Sequence, residues 1–387
     1  MYVFSPENHL VIAACSPAPD IAQLLQSLAK IDNWEKACTK LIKKGVAPLF
    51  LEIAERHAEV KAKIPAEVMA KLRQAYLKTV SRSMVLYDAF REIAVALNER
   101  GIKAVALKGI YLAEHLYPKI GMRQFSDIDL LFCHEDVEAA LELFHTLGFG
   151  MAAPAFGEVV TNVLEPAHLP SLTRKGVSVE LHTRLHGPTQ PYRLPEREMA
   201  GRAEATTLQG QPFRVFEVYD LLIHLCLHLD KHFNGSQMQL YSWADIARLL
   251  VLRGHELDGM QLRQRCAAYK AEKEVIKVLG MVEGLFGVGL PPGLRDQPAE
   301  EIPLAALQLF EKHLDNKVSH ESATQTHLFF IRKIKSPWGK MKYLREVLLP
   351  GKRVMMRAYK LKNARWYWLW YPYRFWVGLK GFFWKRK

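Results

Sequence analysis

The sequence predicts an α+β fold, a small mixed sheet flanked by N-terminal and C-terminal helical regions. Three observations carry this expectation. Up to about residue 100, apolar residues recur at three- and four-residue spacing, the period of a helix with one buried face. Between about 101 and 215 the texture changes to short apolar runs punctuated by Gly and Pro, which is the length and punctuation of strands. From Glu217 to about Leu290 the helical period returns. The chain therefore divides into a helical region (1–100), a sheet-bearing domain (101–215), a second helical domain (216–290) and a basic, helical-to-irregular tail (291–387) with an aromatic-rich C-terminus.

The elements follow in order. Ile21 to His57 has helical apolar spacing, and a long helix is expected from Ala66 to Arg100, with Leu72, Tyr76, Val80, Leu86, Phe90, Ile93 and Leu97 on its apolar positions. Gly101 ends it, where a left-handed cap favours glycine. Ile102–Leu107 reads as a buried strand, followed by Lys108-Gly109 and a helix over Ile110–Leu116. Pro118 and Gly121 mark a loop. A second strand covers Ile128–Cys133, an amphipathic helix runs from Asp136 to Leu147 and closes at Gly148, and a third strand, Val177–His182, follows the turn at Lys175-Gly176. Val218, Leu221, Leu222, Leu225 and Leu229 share a helical period, Trp243–Leu252 forms another helix, and Pro291-Pro292-Gly293 breaks the pattern. Residues 294–335 read as helix and loop without legible chemistry, and there is no internal repeat.

With 387 residues, 49% of them hydrophobic, the chain can bury a sizeable core in two or three domains. Its 24% of charged residues is ordinary for a globular protein. The net charge of +13 is uneven: Ile331 to Lys387 holds 17 Lys and Arg against a single acid, Glu346, which leaves the body at −3. Arguments about anionic partners therefore concern the tail. Cys15, Cys38, Cys133, Cys226 and Cys266 are scattered with no CxxC pair, as expected of reduced core thiols in a cytoplasmic protein. The N-terminus has no basic, apolar leader pattern, and no stretch reaches ~18 uninterrupted apolar residues, so neither a signal peptide nor a transmembrane helix is expected.

The chemistry centres on Ser126-Asp127-Ile128-Asp129-Leu130-Leu131. On a strand, Asp127 and Asp129 point the same way, about 7 Å apart, close enough to share divalent ions. Mg²⁺ prefers oxygen ligands and completes its shell with water and phosphate. A third carboxylate on a neighbouring strand would complete a two-metal site, and Glu180 within Val177–His182 is placed to supply it.

The run Leu107-Lys108-Gly109, Tyr117-Pro118, Arg123, Ser126 to Leu131 and Leu147-Gly148-Phe149 resembles the bacterial "uncharacterised nucleotidyltransferase" family of the DNA polymerase beta-like nucleotidyltransferase superfamily. Glu180-Leu181-His182-Thr183 corresponds to the family's later Asp-Leu-His-Trp element. His224, His228 and Trp243-Ala244-Asp245 match its His-rich segment and Trp/Asp helix. The resemblance covers roughly residues 20–260 and makes 101–215 the catalytic domain. It implies transfer of a nucleoside monophosphate from an NTP to a hydroxyl acceptor, in settings such as surface polysaccharide or peptide modification. Two Mg²⁺ ions would be held by Asp127, Asp129 and Glu180. Lys108, the N–H groups after Gly109 and Arg123 would hold phosphate, and Ser126 would donate a hydrogen bond. The wider superfamily has Gly-Ser where this chain has Lys108-Gly109, and the family's Asp-Leu-His-Trp element has Asp and Trp where this chain has Glu180 and Thr183.

Other residues leave alternatives open. His224, His228 and His232 share a helix face, as a metal patch, as cleft lining or as a packed face. His182 either orients a carboxylate or substrate, or caps a strand. Trp243 and Asp245 either contact base or ribose, or belong to the core. In the tail, Trp366 to Trp384 holds 11 aromatics with Arg374 and Lys380 among them, and Pro372 argues against one unbroken helix. Such a segment, 364–387, suits an anionic membrane surface at the cytoplasmic face, single-stranded nucleic acid, or docking on the protein's own body. Two other function classes stand beside the enzyme. One is a nucleotidyltransferase-fold binding module without catalysis. The other is a nucleic-acid-binding protein acting through the tail, which the −3 body disfavours as a track through the cleft.

Overall fold

The computed structural model describes residues 2–151, 169, 171–187, 190–235, 238–294, 301–318, 337–349, 355–356 and 365–383. Six helices come first: α1 (Pro6–Cys15), α2 (Ile21–Leu28), α3 (Trp34–Lys43), α4 (Ala47–Arg56), α5 (Ala58–Lys61) and α6 (Ala66–Glu99). The first three are N-capped by Ser5, Asp20 and Asn33, whose side chains accept from backbone N–H groups three residues on, donors that would otherwise be unpaired. The long helix α6 spans ~50 Å at 1.5 Å per residue. It ends where expected, at Gly101 with φ +66°.

The sheet region alternates strands and short helices: β1 (Ala104–Leu107), α7 (Gly109–His115), β2 (Asp127–Phe132), α8 (Val137–Thr146), β3 (Gly150–Met151), β4 (Leu172–Arg174), β5 (Val177–His182), α9 (Glu196–Arg202), β6 (Glu204–Leu208) and β7 (Gln211–Val215). They form one seven-stranded mixed sheet in the order β3-β4-β5-β2-β1-β7-β6. The inner strand β2 runs antiparallel to β1 and parallel to β5. The α+β expectation is met. The hairpin β6–β7 was not foreseen. It turns at Gln209-Gly210, both with positive φ, a two-residue turn whose twist matches that of the strands.

The remaining helices are α10 (Val218–Phe233), α11 (Leu240–Arg253), α12 (Gly259–Ala268), α13 (Glu272–Phe286), α14 (Leu304–Leu314), α15 (Pro337–Leu348) and α16 (Trp370–Phe383). Pro372 lies in the first turn of α16, where no intrahelical N–H bond is lost, so the helix begins at Trp370 and does not run unbroken from Trp366. Helix α1 packs on α4 and also on α11 and α13, so one hydrophobic core runs from the N-terminal helices through the sheet into the helices after residue 216. Trp243 is fully buried in that core between Phe233, Phe286 and Phe310. Cys15, Cys38, Cys226 and Cys266 are buried and none of the five cysteines is disulfide-bonded. Among the described residues no helix is long and apolar enough to cross a membrane.

Candidate active site

Two strands carry the acidic residues, and their register decides where the charges meet. Along the parallel pair, Asp127 faces Ser178, Asp129 faces Glu180 and Leu131 faces His182. Residues in register project from the same side of a sheet, and alternate residues share a face. Asp127, Asp129, Glu180 and His182 therefore share one face, while Ile128, Leu130 and Val179 are wholly buried on the other. That apolar set locks the register, because a slip by one residue would expose it and bury the carboxylates.

Lys108 reaches the same place from the opposite side. Leu107 ends β1 as the partner of Asp129, and the next residue, Lys108, puts Nζ 3.3 Å from Asp129 Oδ2. Its backbone has φ 46° and ψ −112°, a conformation that costs of order 1–3 kcal/mol for a residue with a side chain. The strain turns the chain sharply from β1 into α7. Gly109 follows because a Cβ there would lie 3.0 Å from Phe125 Cβ and 3.4 Å from Arg123 Nη1. Helix α7 has only seven residues.

Asp129 is nearly buried and is held from two sides. His182 Nε2 lies 2.8 Å from Asp129 Oδ1 and 3.5 Å from Glu180 Oε2, and Ser171 Oγ lies 3.4 Å from Glu180 Oε1. Burial alone would raise the Asp129 carboxyl, but Lys108 and His182 outweigh it and hold Asp129 well below the usual range. Asp127 goes the other way. Burial and then the like charges of Asp129 and Glu180 push it up, against the pull of Lys108 and a hydrogen bond from Ser126. Burial works against a charged His182, yet its bonds to Asp129 and Glu180 raise it.

These side chains suit a divalent cation. One ligand atom each from Asp129, Glu180 and His182 lie within 4.8 Å of one another, with Asp127 two residues along the same strand face. Oxygen donors predominate, as Mg²⁺ or Mn²⁺ prefers. The Lys108 ammonium pressed against Asp129 marks where a cation's charge is favoured, and His182 Nε2 lies at the same carboxylate. His182, for which orienting a carboxylate or substrate and capping a strand were both open, belongs to the candidate ligand set beside Asp127, Asp129 and Glu180.

Helix α10 forms an adjoining wall. His224, His228 and His232 follow one another along it, with ring centroids 6.2 and 4.5 Å apart. Burial, with the nearby positive charge of Lys108, depresses all three: His224 to about 3, His232 to about 4, and His228 well below its ordinary value. At neutral pH each is an uncharged imidazole with one donor and one acceptor nitrogen. His224 Nε2 is buried with no hydrogen-bond partner among the described residues. These histidines do not join the metal-ligand cluster, which among the described residues consists of Asp129, Glu180 and His182. Lys231, seven residues after His224, returns to the same helix face and feels both Lys108 and Glu180. No ion pair ties Lys231 among the described residues. The sequence places it beside the histidine face without giving it a role, although its spacing from His224 was the available signal.

Arg123 corrects one expectation, that it grips phosphate. Asp245, for which base or ribose contact and a place in the core were both open, takes the core: the two grip each other, both nearly inaccessible. Arg123 Nε lies 2.8 Å from Asp245 Oδ1 and Nη2 lies 2.8 Å from Oδ2, while Tyr117 donates to Oδ1 at 2.8 Å. Tyr241 covers the guanidinium at 4.9 Å. A paired arginine with an aromatic ring over its face has little left to offer a phosphate. The pair instead ties α11 to the loop entering β2, three residues before Ser126.

The profile of the family described as "Uncharacterised nucleotidyltransferase" matches residues 30–287, and the chain belongs to that family. A solved structure is also similar, described as an antigenic nucleotidyltransferase-like protein from Paracoccidioides brasiliensis. It shares 14% identity with this chain and covers 55% of it and 94% of that chain, at a TM-score of 0.33. None of the curated proteins matches.

Proposed function

We propose that this member of the uncharacterised nucleotidyltransferase family is an Mg²⁺-dependent enzyme that moves a nucleoside monophosphate from an NTP to a hydroxyl-bearing acceptor. One observation carries the reading: Asp127, Asp129, Glu180 and His182 converge from two paired strands on one face, with ligand atoms of Asp129, Glu180 and His182 close enough to share one cation and Lys108 beside them. A divalent ion on Asp127, Asp129 and Glu180, with His182 beside them, supplies charge neutralisation for the triphosphate and lowers the pKa of an acceptor hydroxyl.

The chain's own groups do the rest. The acceptor oxygen bonds to the α-phosphorus, the bond from that phosphorus to the α–β bridging oxygen breaks, and pyrophosphate leaves with the electron pair. The hydroxyl proton passes to solvent water, and Asp127, Asp129 and Glu180 stay ionised as the groups that would hold the ion. Lys108 and Lys231 attract the β- and γ-phosphates from two sides of the cleft. The neutral histidines of α10, His224 above all, offer hydrogen bonds to the ribose or the acceptor without adding charge.

The test is thermal unfolding with each of the four NTPs, with and without Mg²⁺, on the wild type and on Asp127→Asn/Asp129→Asn. A ligand that binds only the native state raises the midpoint by mass action. The expected result is an Mg²⁺-dependent rise with at least one NTP that is absent in the double variant. A rise that ignores Mg²⁺ and survives the double substitution makes the protein a binding module. No rise with any NTP removes the nucleotide from the reading.

A further inference from the structure

Every exposed Trp, Tyr or Phe among the described residues lies at or beyond Trp338; the exposed large side chains before it are scattered aliphatic ones. In α15, Trp338 (79% exposed), Met341, Leu344 and Leu348 are all exposed. At about 100° per residue they fall within an arc of about 120°, so the helix presents one apolar stripe to solvent. Around α16, Leu369, Trp370, Tyr373 and Trp376 (55% exposed) repeat that spacing and that exposure. Their rings form a ladder, Trp370 edge-on to Tyr373 at 5.6 Å and Tyr373 stacked with Trp376 at 6.1 Å. Both helices belong to the segment that carries 17 basic residues against one acid, and both lie outside the family match, which ends at residue 287.

We propose that the exposed faces of α15 and α16 dock on the surface of an anionic lipid bilayer, making the protein a peripheral membrane protein. Trp and Tyr settle at the headgroup level, where an apolar ring and a polar tip are both satisfied. Met341, Leu344, Leu348 and Leu369 have no use for a base or a sugar but suit acyl chains. The basic excess supplies attraction to acidic headgroups that one apolar helix face would lack. A single-stranded nucleic acid fits less well, because bases stack on open ring faces and here Tyr373 and Trp376 stack on each other. A second copy of the chain fits worst, since the same surface would meet its own positive charge.

The full-length protein is floated with vesicles of phosphatidylcholine alone and of phosphatidylcholine mixed with phosphatidylglycerol. Flotation with the anionic vesicles should exceed that with neutral ones by ~10-fold or more, since each basic residue near the surface adds to the attraction, and high salt should reduce it. Trp338→Ser/Trp376→Ser and, separately, Met341→Ser/Leu348→Ser should each lose most of the bound fraction while keeping the wild-type unfolding midpoint. These four positions are exposed, so the fold should tolerate them. Protein that stays unbound, floats equally with both vesicles, or floats undiminished in both variants overturns the proposal. Salt-sensitive capture of a single-stranded oligonucleotide without flotation replaces the membrane by nucleic acid.

Discussion

Two buried carboxylates, Asp129 and Asp245, sit close to the same cleft and have opposite fates. Asp245 is saturated: a guanidinium takes both oxygens, a tyrosine hydroxyl takes one again, and a ring covers the guanidinium. Asp129 is gathered with Asp127 and Glu180 on one sheet face, where Lys108 and His182 lie against it. A carboxylate whose partners all come from one closed pair is scaffold, whereas carboxylates gathered on one face are the proposed place for chemistry. Burial alone does not separate them, because both are nearly inaccessible.

The sharpest way to break this contrast is Asp245→Ala. It strands Arg123, buried and charged, without its partner, and breaking a buried pair in this way costs about 3–5 kcal/mol. Denaturant unfolding should show that loss, and Asp245→Leu combined with Arg123→Met should recover part of it by removing both charges. A single variant as stable as the wild type would mean that Asp245 is not the pin between α11 and β2. Asp127→Asn should act in the opposite direction. In chelator, with no divalent ion present, removing one of three like charges should raise stability by about 0.5–2 kcal/mol, within the range gained by relieving a functional site. Asp129→Asn should instead lower it, because Lys108 loses its counter-charge and His182 a hydrogen-bond partner. Equal effects at 127 and 129 would contradict the pairing described for Asp129.

The third effect concerns ligand affinity and leaves the fold alone. Lys231→Met should weaken Mg²⁺-dependent NTP and pyrophosphate binding by ~10-fold, equivalent to ~1.4 kcal/mol, without moving the unliganded unfolding midpoint. Titration calorimetry reads this directly. An unchanged affinity would leave Lys108 as the cation on the phosphates.

The strands that build the site were legible because their code is local. Val177–His182 and the Asp127/Asp129 alternation announce both strand and face within six residues, and Gly101 and Gly148 adopt the positive φ their positions suggested. What failed was what depends on distance along the chain. Nothing near Arg123 says that Asp245, 122 residues later, will claim it. The hairpin β6–β7 was hidden by polar Thr206 and Thr207, by a Gln209-Gly210 turn in place of Asn-Gly, and by Pro212. That proline is tolerated because β7 pairs with β1 only at Val215, which leaves its missing N–H without consequence for that ladder. The basic tail was legible as composition, but its two exposed helical faces were not.

The smallest effect carries the same rule to the periphery of the core. Asp315 follows α14 and accepts from Lys40 on α3 at 2.7 Å and from Lys317 at 2.8 Å, so it joins an N-terminal helix to a C-terminal one. Partial burial would raise its carboxyl, but the two lysines prevail and hold it down at about 2, below an unfolded value near 3.9. A carboxyl depressed by folding adds stability above its unfolded pKa and loses it as the pH falls through the folded one. The contribution should therefore be complete above about pH 5 and fade towards pH 2. Its size should stay under ~1 kcal/mol, because Lys317 is largely exposed and solvent screens the pair. Denaturant unfolding of wild type and Asp315→Asn across this range should show a gap that closes on acidification. A gap of constant size would assign the residue's worth to packing rather than charge. A gap as large as that of Asp245→Ala would erase the distinction between a screened pair at the surface and a buried one.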